Sequence, residues 1–249
     1  MWTAFAKNFV SNIRRMFPFH AFVLAHAAIV LGIAASQGRV SLMAYGDYID
    51  RFGPLYFAVL PVVLAATRAC LVIVRNRRVA ASDFELDLPV LFGQLASSAV
   101  TLGMIVLFMG SFTTFKTLMP MLMGGFPYDR ILADIDVHLH GGVEPGQVLA
   151  SLFSHPLVLK ALQWNYTVPW MALTFVPIFF VAIDAPHLRL RYCLTFVLVW
   201  AILGNLLACL FLSAGPIFYV DITGDAARFD AVKQILDGTL GSTFHRYLW

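Results

Sequence analysis

Long apolar stretches alternate with short polar ones along the chain, and residues 191–219 (RYCLTFVLVWAILGNLLACLFLSAGPIFY) set the frame for the rest. A helix that crosses the hydrocarbon core of a bilayer needs about 20 residues at about 1.5 Å each. Residues 192–212 supply that length. Gly204-Asn205 interrupt the run and Ser213-Ala214-Gly215-Pro216 close it. Pro216 has no backbone donor and Gly215 tolerates unusual dihedrals. The helix is therefore expected to stop there and leave free backbone groups near the membrane surface. At that depth such groups need protein, water or a ligand.

Four more apolar stretches of spanning length precede it, at about 17–36, 54–74, 88–110 and 157–183. The third carries Gln94, Ser97, Ser98 and Thr101 at helical spacing, a polar stripe suited to bonding neighbouring helices. Trp164, Tyr166 and Trp170 near the start of the fourth fit an interfacial aromatic belt. Residues 111–156 are too polar to span. They read as a short amphipathic stretch at 112–123, then a helix along the membrane surface in which Ile131, Leu132, Ile135 and Leu139 share a face and Asp129 is the N-cap. The tail predicts a further amphipathic helix at about 226–236. The fold expected is all-α: a polytopic transmembrane helical bundle of about five spans with interfacial amphipathic helices. It divides into a three-span region, 1–110, and a second region, 111–249.

Composition narrows the class. With 60% hydrophobic and 12% charged residues over 249 positions, the chain is too apolar for an ordinary soluble domain. The net charge of +3 comes with no basic-aromatic surface stretch, so nucleic acid is not an expected partner. Membrane lipids are, and a homo-oligomer or a membrane partner is compatible with the pattern. Basic residues cluster at Lys7, Arg14 and Arg15, at Arg75, Arg77 and Arg78, and at Arg189 and Arg191. Acidic residues crowd the opposite ends, at Asp47, Asp50, Asp129, Asp134, Asp136, Glu144, Asp221, Asp225, Asp230 and Asp237, while Asp83, Glu85 and Asp87 precede the third span. The positive-inside rule then puts the N-terminus in the cytoplasm, and the 129–144 segment and the tail outside. Cys70, Cys193 and Cys209 lie in apolar runs and read as packing residues. Asp136, His138 and His140 alternate, a spacing that spreads them around a helix, so neither metal nor cofactor is expected.

The candidate site residues follow from this frame. Asn205, an amide in an apolar helix, is either an interhelical hydrogen-bond partner or part of the site. Ser213 and the amides near Gly215 are suited to phosphate, as small-residue turns often are, or mark a plain helix stop. The C-terminal end of a helix disfavours anions, so turn amides or a cation would have to offset it. Lys116 reaches head-group depth at the outer end of the third span, to neutralise a lipid phosphate or simply to snorkel.

PYDRILADIDVHLHGG at 127–142, a span, a basic loop, and then GNLLACLFLSAGPIFYVDITGDAARF at 204–229 together resemble one family. These are the bacterial membrane proteins related to inositol phosphorylceramide synthase (inositolphosphotransferases) within the type-2 phosphatidic acid phosphatase superfamily. The resemblance covers about 116–249. It implies a bacterial inner-membrane enzyme that moves a lipid phosphate head group, with Lys116, Asn205, Ser213, Gly215 and Tyr219 shaping an outward-facing pocket. The family's nucleophile is a histidine from a Pro-Ser-x-His element, supported by a later His-x3-Asp element. Neither occurs in these 249 residues. The expectation is accordingly a chain with no catalytic residue of its own, as a piece of such an enzyme or a short form of it. The alternative is a non-catalytic membrane subunit or lipid-binding scaffold.

Overall fold

The computed structural model describes residues 2–75 and 88–236. Among them every regular element is helical. Arg77, Arg78, Asp83, Glu85, Asp87 and Asp237 lie outside the described residues. Among the described residues five helices are long and apolar enough to cross a membrane, at Phe17–Ser36, Val40–Leu71, Leu88–Met123, Pro156–Asp184 and Arg189–Leu210. The protein is an all-α, multi-pass membrane protein.

An amphipathic helix, α1 (Trp2–Arg15), precedes the first span, α2 (Phe17–Ser36), which has the limits expected from its apolar run. The second span starts earlier than Pro54. It is built from α3 (Tyr45–Pro54), a π-turn (Leu55–Val59) and α4 (Leu60–Arg75). Pro54 and Pro61 bracket the π-turn, and each removes a backbone donor from the regular ladder, which favours a local change of winding without ending the helix.

The third span, α5 (Leu88–Met123), corrects the expected break at residue 110 and absorbs the separate 112–123 stretch. Its hydroxyls explain the continuity: Ser111, Thr114 and Thr117 each donate to the carbonyl one turn back, at 2.9, 2.8 and 3.1 Å. Polar residues that satisfy themselves inside a helix need not end it. The helix stops at Gly124 and Gly125, whose φ of +70° and +118° suit glycine. The fourth span is two helices, α8 (Pro156–Thr167) and α9 (Pro169–Asp184), parted where Pro169 lacks its donor. Before it come α6 (Asp129–Leu139) and α7 (Pro145–Phe153), both too short to cross. The fifth span runs through α10 (Arg189–Val199), a π-helical segment (Trp200–Leu207) and α11 (Ala208–Leu210). Two short helices follow, α12 (Tyr219–Thr223) and α13 (Asp230–Leu236).

The chain forms two compact units, each drawn from two stretches: 1–117 with 174–203, and 118–173 with 204–249. Residue 110 lies inside the first. That unit is packed by aromatic rings and tied by the expected polar stripe. Phe52 and Phe175 are 4.5 Å apart and Phe112 meets Trp200 edge-on at 5.1 Å. Gln94 donates to the Ile183 carbonyl at 2.9 Å and Ser98 to that of Ala182 at 2.6 Å, so the stripe joins α5 to α9. His20 is buried and His26 packs on Phe108 at 5.0 Å, both inside the first span's packing.

The second unit has a small core of Ala133, Tyr219 and Phe229, with Val232 against it. Ile131, Ile135 and Leu139 of α6 stay exposed, as an apolar face lying on a bilayer would. The tail helix begins at Asp230, not 226. Phe229 takes φ of 60° and turns its ring onto Tyr219 at 5.0 Å, and that left-handed residue prevents earlier winding.

Candidate head-group site

After Leu210 the backbone leaves the helix, and Phe211–Pro216 forms a turn with Gly215 at φ +86°. The chain at the start of α6 is fastened to it. The Tyr128 amide donates to the Leu212 carbonyl at 3.3 Å, and the Tyr128 and Phe211 rings meet at 5.9 Å. This places the Asp129 side chain, only 4% exposed, inside the turn.

There Asp129 Oδ1 accepts from the Ser213 hydroxyl at 2.7 Å, the Ala214 amide at 3.1 Å and the Gly215 amide at 3.2 Å. Oδ2 lies 3.3 Å from the Ala214 amide. The Gly215 amide is also 3.1 Å from the Ser213 hydroxyl oxygen. The turn is a small nest of donors, as its small residues predict, but its amides are not free: the protein's own carboxylate occupies them. Nor is Asp129 an N-cap. Tyr128 holds that position without a side-chain bond, and the Asp129 carboxylate goes to the turn because three donors converge there.

Around this clasp the second unit is laced by charge. Arg130 donates to the Thr223 carbonyl at 2.8 Å. Arg228 pairs with Asp134 at 2.7 Å and with Glu144 at 3.0 Å. The Tyr219 hydroxyl, then Asp134, hold the Arg228 guanidinium still further toward its charged form than usual. Lys233 contacts both oxygens of Asp221, at 2.7 and 2.9 Å.

The five residues singled out in the sequence fare differently. Ser213 and Gly215 meet directly, through Asp129. Tyr219 is buried against Phe229, so it packs the unit's core instead of lining an open pocket. Asn205 is 5% exposed and lies in the π-helical segment of the fifth span. Lys116 belongs to the first unit, is exposed, and holds its ammonium 5.8 Å from the centre of the Phe112 ring.

Sequence reading missed Asp129 as the centre and Arg228 and Glu144 as its support. Glu144, three residues beyond Gly141, pairs with Arg228 and not with His140, whose Nδ1 lies 2.7 Å from the Asp136 carbonyl oxygen. Among the described residues no group of His, Cys, Asp or Glu is placed to hold a metal ion, and no hydrogen bond joins a histidine to the Ser213 turn. Chemically, the turn can hold an oxyanion with one hydroxyl and two amides.

Comparison with known proteins finds no matching family model, no matching curated protein and no matching solved structure.

Proposed function

We propose that this membrane protein handles phosphorylated lipid head groups, as a lipid phosphotransferase or phosphatase of the inositol phosphorylceramide synthase kind. It sits in the bacterial inner membrane with its N-terminus in the cytoplasm and the Ser213 turn on the outer side. One observation carries this reading. The two segments that bear the resemblance, 84 residues apart, meet in the bonds from Asp129 to Ser213, Ala214 and Gly215.

A phosphoryl oxygen carries negative charge on a small tetrahedral group and asks for the donors that now hold Asp129. Within the second unit, Ser213 and Gly215 orient the phosphate. Covalent chemistry also needs an activated nucleophile. Because no histidine bonds to the turn among the described residues, and a carboxylate already satisfies its donors, a second reading has support. In it the chain is a lipid-binding scaffold or a non-catalytic subunit.

Membranes containing the protein, incubated with labelled phosphatidic acid and separately with head-group-labelled phosphatidylinositol, distinguish the two. Release or transfer of label, reduced about tenfold or more in Ser213→Ala as expected for loss of an oxyanion donor, supports the enzyme. Absence of turnover in both assays, with labelled lipid still retained by the purified protein, leaves the scaffold. Reporter fusions at Gly38, Gly125 and Asp184 test the topology, which fails if the Gly125 fusion reports a cytoplasmic position.

A further inference from the structure

Among the described residues of the first unit, one buried charge has no counter-charge. Arg189, the first residue of α10, is 2% exposed. Its Nη1 reaches the Ser97 hydroxyl oxygen at a long 3.4 Å, and its Nε and Nη2 have no hydrogen-bond partner. No carboxylate among the described residues pairs with it. Asp184, at the end of α9, is taken by Arg68.

An ionised guanidinium taken out of water is strongly penalised unless an anion and hydrogen bonds compensate it. The bare atoms also specify the shape of that anion. Nε–H and Nη2–H lie side by side on one edge of the guanidinium plane, the fork that grips two oxygens of one carboxylate or phosphate. The surroundings specify where the anion comes from. The backbone of α1 passes close to α5 one turn before Ser97, since a Cβ on Gly93 would lie 2.9 Å from the Phe5 carbonyl oxygen. α1 is amphipathic and ends in Arg14 and Arg15, both exposed. A helix of that kind lies at head-group depth and draws anionic lipid toward it.

We propose that the Nε/Nη2 fork of Arg189, with the Ser97 hydroxyl beside it, is a binding site for a phosphate group, carried by an anionic phospholipid. This site is independent of the Asp129 turn and of the enzyme reading. It stabilises the packing of α5 against α10 when filled, so lipid phosphate and fold stability are linked.

The test is thermal unfolding of the purified protein in non-ionic detergent, titrated with phosphatidylglycerol, with diacylglycerol, or with inorganic phosphate. Phosphatidylglycerol is expected to raise the midpoint and diacylglycerol to leave it unchanged. An equal rise with inorganic phosphate assigns the site to free phosphate, by the same chemistry. Arg189→Lys keeps the charge and loses the fork, so its apparent affinity should fall about tenfold or more, while Arg191→Gln, an exposed neighbouring cation, should titrate as the wild type does. If Arg189→Lys does not fold, Ser97→Ala decides by a several-fold loss of affinity. The proposal is overturned if neither phosphate ligand shifts the midpoint, if the deciding variant binds as tightly as wild type, or if Arg191→Gln loses as much as Arg189→Lys.

Discussion

Asp129 and Ser213, 84 residues apart in sequence, are joined by a 2.7 Å hydrogen bond in which the hydroxyl donates to a buried carboxylate. The same oxygen takes the amides of Ala214 and Gly215, so one side chain fixes the end of the fifth span to the start of α6. Removing it strands three donors in a place with little water. Asp129→Ala should therefore cost about 2–3 kcal/mol, the scale of hydrogen bonds to a charged group with their partners left behind. Ser213→Ala, which removes one donor and leaves both amides on the carboxylate, should cost about 1 kcal/mol. Denaturant-induced unfolding in detergent reads both, and equal losses for the two variants would contradict a carboxylate-centred clasp.

Gly215 has φ of +86°, yet a Cβ built there meets nothing within 4 Å. The cost of Gly215→Ala is thus conformational and not steric, about 1–2 kcal/mol for an L-residue forced into the left-handed region. The same measurement checks it. A loss nearer that of Asp129→Ala would mean that the turn itself rearranges and releases the carboxylate.

Gly110 makes the opposite case. Its backbone is helical, but a Cβ would lie 2.4 Å from Tyr45 Cδ1 and 3.1 Å from the Tyr45 Cα. The ring can turn away and the backbone atom cannot, so Gly110→Ala separates α3 from α5 and should cost about 1–3 kcal/mol by overpacking. It also strains the contact between the Tyr45 and Ser111 hydroxyls, 2.9 Å apart. Gly103, two turns earlier on the same helix, has nothing within 4 Å. Gly103→Ala should stay within about 0.5 kcal/mol of wild type, and a comparable loss at both positions would refute the close approach.

These contacts mark where the sequence was readable and where it was not. Run length located the five spans found among the described residues, and the Gln94–Thr101 stripe announced its interhelical role, because both follow from solvation alone. Where α5 ends did not follow: Ser111, Thr113 and Thr114 look like a polar break, and only their bonds to backbone and to Tyr45, Tyr48 and the Ala44 amide make them helix. The Ser213 turn was visible as a collection of donors, but not that its anion is Asp129. That assignment depends on a long-range approach which no local pattern encodes. The π-helical winding at 200–207 was likewise hidden, with Gly204-Asn205 as its sole trace.

Arg228 joins two carboxylates of unequal worth. Asp134 has 70% of its side chain exposed and Glu144 only 11%, although both are within 3.0 Å of the guanidinium. Solvent screening leaves the Asp134 pair a few tenths of a kcal/mol, and Asp134→Ala should change stability by no more than about 0.5 kcal/mol. The Glu144 carboxylate is largely dry, so Arg228→Met leaves a buried charge unpaired and should cost about 3 kcal/mol or more. Adding Glu144→Gln removes that charge, and the double variant should recover a good part of the loss, a coupling of about 1–3 kcal/mol in a double-mutant cycle. Arg228 itself contributes no pH dependence in the working range. Its folded-state pKa is raised above its unfolded value, chiefly by the Tyr219 hydroxyl, so its contribution is fully present at every pH below the strongly alkaline region and is lost only above it. Stability lost by Arg228→Met and left unrecovered by Glu144→Gln would show that the arginine acts through its packing on Tyr219 and not through charge.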